Sequence, residues 1–360
     1  MSSNERFLVL AEGQLGPHSS KTASACIRYT PERVVAVLDS TKAGSTVQQH
    51  LGFGGDIPVV ASLDEGLALE PNAILIGIAP AGGKLPPEWR DLILTSLEQG
   101  LDVWSGLHFF LADDRELAAA AERGGARIFD LRRPPNDLDV SMGRARDVDA
   151  TVVLTVGTDC NIGKMTVQLQ LRDVLKRRGN RVAFAATGQT GILIEGWGIS
   201  VDAVVADFIG GAAERLTLQA ARDADIVLVE GQGSIIHPSF SGVTYGLIHG
   251  SLPHAFVLCA QPSRKAIRRN EWVPIPPLDE MIRLHDVAAQ HLRPAPTIAV
   301  ALNTADLSET DARAAIKEAE SITGLPATDP VRYDASPIAE AIEAFHRSRA
   351  RVADNAAAAV

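Results

Sequence analysis

The sequence predicts an α/β protein of two domains, an N-terminal Rossmann-like parallel-sheet domain followed by a P-loop NTPase-like, doubly wound domain. The length of 360 residues exceeds what one ordinary core needs. Short apolar runs alternate with longer amphipathic stretches, as in parallel strands joined by crossover helices. The most apolar of these runs, Ala150–Val156, leads directly into a glycine-rich loop and a helical pattern.

The first domain is predicted to span residues 1–132. Its apolar runs predict strands at Phe7–Ala11, Val34–Leu38, Ala73–Ile78, Asp102–Trp104 and Arg127–Phe129, with the clearest helices at Pro87–Gln99 and Asp114–Arg123. Residues 133–149 contain a pair of prolines, many charges and no hydrophobic period, which predicts a linker.

The second domain is predicted to span residues 150–349. Strands are expected at Ala150–Val156, Arg181–Ala185, Val201–Ala206, Ile226–Glu230, Ala255–Cys259 and Thr297–Leu302. Helices are expected at Lys164–Arg178, Ala212–Arg222, Leu278–His291 and Asp311–Thr323. Residues 350–360 are rich in alanine and unpatterned, which predicts a frayed tail.

Composition and charge exclude several classes of protein. A net charge of −10 argues against coating nucleic acid or an anionic membrane, so neither partner is expected. Three scattered cysteines provide neither a disulfide framework nor a zinc cage, and no metal site is predicted. Neither a signal peptide nor a membrane-spanning run is recognisable, so we expect a soluble, cytoplasmic protein. A homo-oligomer is the ordinary expectation for such an enzyme.

The strongest motif is a phosphate-binding loop between the apolar strand and the following helix. Glycines let successive backbone N–H groups point inward, and the helix N-terminus and a lysine add positive charge. The alternative is an ordinary glycine-rich turn, but strand, Gly-Lys pair and helix coincide here. The predicted phosphate-contacting residues are Gly157, Thr158, Asp159, Cys160, Asn161, Ile162, Gly163, Lys164, Met165 and Thr166.

The loop departs from the standard phosphate-loop sequence in two ways, and both bear on which ligand it binds. Five residues separate Gly157 from Gly163 instead of four, a spacing that resembles dethiobiotin synthetase-like P-loop proteins. Met165 stands where a Ser or Thr hydroxyl normally holds Mg²⁺, and a thioether is a poor ligand for that ion. Thr166 is turned about 100° further around the helix, so it is an uncertain substitute. These departures favour binding of a pyrophosphate over phosphoryl transfer.

Two residues are candidates for acid–base chemistry. Glu230 closes an apolar strand, where it would orient Mg²⁺ or water in a nucleotide enzyme, or take a proton from an amine in a transferase. His237 titrates near neutrality and could act as a base or as a hydrogen-bond donor. The alternatives are a solvated carboxylate at a strand end and an ordinary loop histidine.

Further candidates lie in other predicted loops and strand ends. Gln189 and Asn303 follow predicted strands, and Asn303 could meet the edge of an adenine. Lys84, Arg264 and Lys265 could pair with substrate carboxylates or an additional phosphate. Turn residues and solvated surface cations are the competing interpretations for this group.

Segments in both halves carry a resemblance to a known family. GTDCNIGKMT is the most specific, supported by LAEGQLGPHSSKTA, VVAVLDSTKAG and IGIAPAGGKLP in the first half and by GQTG, VEGQGSIIHP and QPSR in the second. Together they resemble the D-glutamate N-acetyltransferases, two-domain P-loop-containing proteins long described as of unknown function. The resemblance implies acetyl transfer from acetyl-CoA to the amine of an acidic amino acid, D-glutamate, with the CoA pyrophosphate in the phosphate loop.

Three functions therefore stand after the sequence is read. The leading one is the acetyl-CoA-dependent N-acetyltransferase, with Glu230 or His237 as base and a small anionic amino acid as substrate. The second is an ATP- and Mg-dependent ligase or kinase-like enzyme of the dethiobiotin synthetase type, against which Met165 counts. The third is a nucleotide- or CoA-sensing protein without turnover.

Overall fold

A computed structural model describes residues 4–17, 19–78 and 85–358, with side chains described as far as Arg351. The strands are β1 (Phe7–Leu10), β2 (Val34–Leu38), β3 (Val59–Val60), β4 (Ala73–Ile76), β5 (Asp102–Ser105), β6 (Ile128–Asp130), β7 (Thr151–Gly157), β8 (Val182–Ala185), β9 (Ile226–Val229), β10 (Ala255–Ala260), β11 (Ala266–Ile267), β12 (Asn270–Pro274), β13 (Thr297–Leu302) and β14 (Ala327–Thr328).

The α-helices run between these strands and after the last of them. They are α1 (Lys21–Tyr29), α2 (Val47–Leu51), α3 (Leu63–Leu67), α4 (Arg90–Glu98), α5 (Arg115–Gly124), α6 (Lys164–Arg177), α7 (Gln189–Glu195), α8 (Ala206–Ala220), α9 (Ser241–Ser251), α10 (Leu278–Ala289), α11 (Glu309–Thr323) and α12 (Ser336–Ala358). Within the described ranges, no helix is long and apolar enough to cross a membrane.

The first unit contains the chain up to Pro134 together with Gly188–Ala203. Its six strands are all parallel and follow the order β3-β2-β1-β4-β5-β6. This is the doubly wound order of Rossmann folds, so the fold predicted for the first domain is confirmed. Every residue of β1 and β4 is buried, because helices cover both faces of such a sheet.

The second unit contains Pro135–Thr187 and the chain from Val204 onward. Its six-stranded parallel sheet has the order β14-β13-β10-β7-β9-β8. The fully buried β7 lies between β10 and β9, and it leads through the phosphate loop into α6. This arrangement confirms the P-loop fold predicted for the second domain. A separate antiparallel hairpin, β11–β12, follows β10.

One predicted strand, Val201–Ala206, is wrong. Val201–Ala203 forms a 3-10 turn, and α8 begins at Ala206, six residues before the helix expected at Ala212. The alternation of apolar residues imitates a strand, but Val205 is 68% exposed and pairs with no strand in the described structure. Asp207 lies in the first turn of α8, where a carboxylate interacts favourably with the helix dipole.

The structure divides the chain differently from the prediction in three places. Gly188–Ala203 joins the first unit although both of its flanking segments belong to the second. The predicted linker 133–149 is largely part of the second unit, where the buried Glu214 carboxylate accepts the backbone N–H groups of Met142 and Arg144 at 2.6 and 2.7 Å. The predicted frayed tail continues α12 as far as Ala358.

Candidate functional site

The phosphate loop is shaped by glycines at its two ends. A Cβ atom on Gly157 would lie 2.8 Å from Ile162 Cδ1 and 3.2 Å from Lys164 Nζ, so a larger residue would displace the lysine. Gly163 precedes α6 with a φ of +107°, and Asn161 has a φ of +55°, in the left-handed region. The loop therefore curls back over its own strand, as a phosphate cradle requires.

Lys164 is folded into this loop. Its side chain is buried, and Nζ donates a hydrogen bond to the Asp159 carbonyl oxygen at 2.7 Å. Burial lowers the pKa of the Lys164 ammonium, because the cation loses water that one carbonyl does not replace. An anion bound in the loop would compensate this buried cation.

Arg264 stabilises the loop from the side. Its Nη1 donates to Asp159 Oδ2 at 2.9 Å and to the Cys160 carbonyl oxygen at 2.8 Å. The Arg268 backbone N–H donates to the same Asp159 oxygen at 2.9 Å. The predicted role of Arg264 as a partner of substrate carboxylates differs from this arrangement, in which its guanidinium is bonded to a fully buried aspartate.

His237 lies beside the loop with its hydrogen-bonding direction fixed. The buried ring accepts the Ser239 N–H at Nδ1, 3.1 Å away, so in the neutral imidazole the proton is on Nε2. Burial lowers the pKa of His237; the Asp159 carboxylate opposes this shift and the Lys164 cation adds to it. His237 is therefore suited to donate a hydrogen bond from Nε2 and poorly suited to accept a proton.

Asp159, Cys160 and His237 place one carboxylate, one thiol and one ring nitrogen within 4.8 Å of one another. These are zinc-binding groups. However, the Asp159 carboxylate is bonded to Arg264, and the Nδ1 contact with Ser239 leaves His237 with a proton on Nε2. The nearby Lys164 also acts on the His237 pKa as a repelling cation. The surroundings of this group favour an anion over a metal cation.

Glu230 follows β9, and its carboxylate is directed to the far side of that strand. The side chain is 5% exposed, and Oε2 accepts the Thr187 N–H at 2.9 Å just beyond the end of β8. Because β9 separates β8 from β7, the carboxylate lies up to two strand spacings, roughly 10 Å, from the strand that carries the phosphate loop. Glu230 therefore belongs to the same sheet edge as the loop, with its carboxylate bonded to the segment that follows β8.

The segment after Glu230 packs tightly against the loop. A Cβ on Gly231 would lie 1.6 Å from the Thr155 carbonyl oxygen, so only glycine fits at this position. The Gly231 N–H donates to Thr155 Oγ1 at 3.0 Å, and Ser234 Oγ donates to the Thr158 carbonyl oxygen at 3.1 Å. The sequence did not single out Ser234 or Thr155, although both lie within or beside recognised motifs.

The other residues predicted to belong to the site lie in several different parts of the chain. Met165 and Thr166 are half-buried in the first turn of α6, and Asn303 follows β13 with its Oδ1 accepting the Ala305 N–H at 3.2 Å. Lys265 is exposed near the start of the β11–β12 hairpin. Gln189 begins α7 in the first unit, where its Cγ would lie 2.5 Å from a Cβ on Gly106. Lys84 lies outside the described residues.

Family models match both halves of the chain. Residues 139–339 match the C-terminal P-loop domain of DUF1611, and residues 40–134 match its N-terminal Rossmann-like domain; both are described as domains of unknown function. The chain belongs to the DUF1611 family. A DUF1611 protein from Anabaena variabilis of known crystal structure is 39% identical, with a TM-score of 0.90 over 94% of this chain and 99% of its own.

Two curated relatives of this DUF1611 protein have a named activity. A D-glutamate N-acetyltransferase from Tritonibacter scottomollicae is 41% identical over 79% of this chain and 84% of its own length. A second protein of that name, from a Pseudoalteromonas species, is 35% identical over 75% of this chain and 81% of its own length. These relatives confirm the family resemblance and support an N-acetyltransferase activity.

Proposed function

We propose that this protein transfers the acetyl group of acetyl-CoA to the amine of D-glutamate and that its phosphate loop binds the CoA pyrophosphate. The observation that carries the proposal is a phosphate cradle with a buried lysine but with Met165 at the usual magnesium-ligand position. A pyrophosphate bound by N–H groups and Lys164 needs no metal for its binding. The relatives named D-glutamate N-acetyltransferase supply the acceptor and the transferred group.

The loop and its neighbours serve to bind and orient acetyl-CoA. Backbone N–H groups from Asn161 to Thr166 and the Lys164 ammonium contact the pyrophosphate, and His237 Nε2–H adds a donor beside them. The Thr158 and Cys160 N–H groups are already bonded, to the Cys259 carbonyl oxygen and to Asp159 Oδ1. The extended pantetheine arm then carries the thioester away from the loop. Cys160 is consequently too close to the pyrophosphate to act as the acyl acceptor, and we assign it a packing role.

Glu230 is our candidate for the general base. The amine nitrogen of D-glutamate attacks the thioester carbonyl carbon, the amine proton passes to the Glu230 carboxylate, and the carbon–sulfur bond breaks to release CoA as its thiolate. The thiolate then takes up a proton from solvent or from Glu230. The Glu230 carboxylate is bonded to the segment after β8, on the side of β9 away from β7, and we place the thioester end of acetyl-CoA there.

The activity is tested by supplying both possible donors to the purified protein. Free thiol is followed with acetyl-CoA and D-glutamate, with L-glutamate as a matched control, and ADP is followed with Mg-ATP and D-glutamate. We expect thiol release only with acetyl-CoA and D-glutamate together. ADP release would instead support the ligase, and release of neither product would support a binding protein without turnover.

The role of Glu230 has its own test. Glu230→Gln keeps the shape of the side chain and an oxygen for the Thr187 N–H, but it removes the basic carboxylate. Turnover should fall by about 100-fold or more, the usual contribution of a general base, while CoA affinity stays unchanged. An unaffected turnover rate would show that Glu230 is not the general base.

A further inference from the structure

The β11–β12 hairpin is fixed beside the phosphate loop. It follows β10, which pairs with β7, so the hairpin and the loop leave the same edge of the sheet from adjacent strands. The Arg268 N–H donates to Asp159 Oδ2 at 2.9 Å, and the Ile267 side chain is fully buried. The hairpin is thus bonded to the loop and anchored in the core.

The hairpin carries three exposed cations, Lys265, Arg268 and Arg269. Within the described part of the chain, their side chains form no hydrogen bond or ion pair. Glu271 is the one carboxylate of the segment 264–274, and its Oε1 accepts the Arg269 backbone N–H at 3.0 Å. Because Arg264 is bonded to Asp159, these three cations and Glu271 leave a local excess of two positive charges in a chain of net charge −10.

Trp272 is exposed on the same hairpin. Its exposed fraction of 76% is the highest among the large apolar side chains that the structure describes, whereas Trp89 and Trp104 are 2% and 1% exposed. An exposed indole ring leaves its apolar face in contact with water and available for stacking, and purine bases stack well on indole. A flat aromatic ring on the same hairpin as three cations is suited to a ligand that combines a base with a phosphate.

We propose that this hairpin binds the 3′-phosphoadenosine end of the CoA whose pyrophosphate occupies the phosphate loop. Lys265, Arg268 and Arg269 would pair with the 3′-phosphate, and Trp272 would stack on the adenine. An ordinary nucleoside diphosphate presents its phosphates to the loop alone, so a second, separate group of cations indicates a second, separate phosphate. The inference rests on the proposed function and extends it. It identifies the 3′-phosphate, which ADP lacks, as a group by which the protein recognises CoA.

The test compares two ligands that differ only in the 3′-phosphate. Adenosine 3′,5′-bisphosphate and AMP are titrated into the full chain by calorimetry, without any acetyl transfer. We expect the bisphosphate to bind at least tenfold more tightly. The double variant R268A/R269A, which keeps the Arg268 N–H, should bring the two affinities within about threefold. Lys317→Ala on α11 removes an exposed cation elsewhere and should keep the preference.

Trp272 is tested with the same two ligands. Trp272→Ala should weaken both of them by about tenfold while their ratio is kept, because the adenine is common to both. Trp272→Phe, which can still stack, should recover most of that loss. Equal affinities in the unmodified protein, or a preference that survives R268A/R269A, would overturn the proposal.

Two further outcomes separate this proposal from its alternatives. If Trp272→Ala lowers the oligomeric mass in light scattering and leaves both affinities unchanged, the hairpin is a contact between copies of the chain and the proposal is wrong. If the bisphosphate is preferred but no thiol is released from acetyl-CoA with D-glutamate, the hairpin proposal stands and the proposed reaction fails.

Discussion

Lys164 is the residue whose environment contributes most to the chemistry of the site. Its ammonium is buried with a carbonyl oxygen at 2.7 Å as its hydrogen-bond partner, and burial lowers its pKa below the ordinary 10.5. The proposed pyrophosphate, once bound, would stabilise the charged form and raise that pKa again. Ligand binding and protonation of this residue are therefore linked thermodynamically.

We predict that binding of CoA takes up protons at pH values between the free and the ligand-bound pKa of Lys164. Affinity should accordingly fall as the pH rises through this window. Calorimetry in buffers of different ionisation enthalpy, from about pH 6 to about pH 9, measures the uptake directly. Lys164→Met should bind CoA more weakly and lose the uptake; an unchanged uptake in this variant would assign the proton to another group.

His237 shows how one backbone hydrogen bond decides a side chain's role. With Nδ1 accepting the Ser239 N–H, the ring donates from Nε2, and burial lowers its pKa so that the ring is neutral at physiological pH. The sequence left base and donor as alternatives. The tautomer inferred from this contact favours the donor.

We predict that His237→Gln keeps most of the CoA affinity, because its amide N–H reaches nearly as far as Nε2. His237→Asn, whose amide is shorter, should raise the Kd for CoA by about tenfold or more, the cost of a lost hydrogen bond to a charged group. Titration with CoA measures both. If His237 were the general base, both variants would lose turnover while their CoA affinity stayed the same.

At the scale of elements, the loop between β7 and α6 depends on an ion pair from the segment after β10. Asp159 is fully buried, and Arg264 supplies its ionic partner at 2.9 Å. Removing one member of such a pair leaves an uncompensated buried charge, which costs far more than breaking a pair in water.

We predict that Arg264→Gln lowers the free energy of unfolding by about 3 kcal/mol. Arg313→Gln is the matched control, because the Arg313–Glu309 pair on α11 is more than half exposed on both sides and should contribute under about 1 kcal/mol. Urea denaturation of both variants measures the difference. Asp159→Asn combined with Arg264→Gln should be less destabilised than Arg264→Gln alone; additive losses would contradict the pairing.

Sequence reasoning succeeded where an element carries its own signal. The amphipathic pattern from Lys164 predicts a helix to Arg178, and α6 ends at Arg177. The prediction of secondary structure failed where tertiary contacts, and not the local sequence pattern, determine the element. Helix α7 has seven residues and begins in a glycine-rich motif, and β11 has only two residues, so neither shows a readable period. The hairpin that carries Trp272 was missed for the same reason.

The sequence also predicts part of the candidate site, namely the phosphate loop, but not the contacts of the residues around it. The phosphate loop combines a strand, glycines, a lysine and a helix within one short stretch, so the sequence locates it. The bonding of Arg264 and the tautomer of His237 depend on Asp159 and Ser239, which meet them only in the folded chain or through a local turn. Residue type alone does not decide between such roles.

At the scale of the whole molecule, the chain returns to its first unit after entering the second. Gly188–Ala203 joins the sheet domain formed by the first 134 residues, and α7 packs there against α1. Arg33 Nη1 donates to the Leu193 carbonyl oxygen at 2.8 Å, and the Arg132 guanidinium pairs with Asp202. Ile192 and Leu193 are 4% and 0% exposed.

We predict that residues 1–134 alone form an incomplete domain. Burial of Ile192 and Leu193 contributes about 4 kcal/mol, a large share of the total stability of an ordinary domain. Thermal unfolding followed by circular dichroism should show a low or absent transition for 1–134 and a higher Tm when a peptide of residues 188–203 is added. A peptide with Ile192→Asp and Leu193→Asp is the matched control and should have no effect. Equal Tm values with both peptides would mean that α7 contributes nothing to the first unit, and the contact with Arg33 would then be incidental.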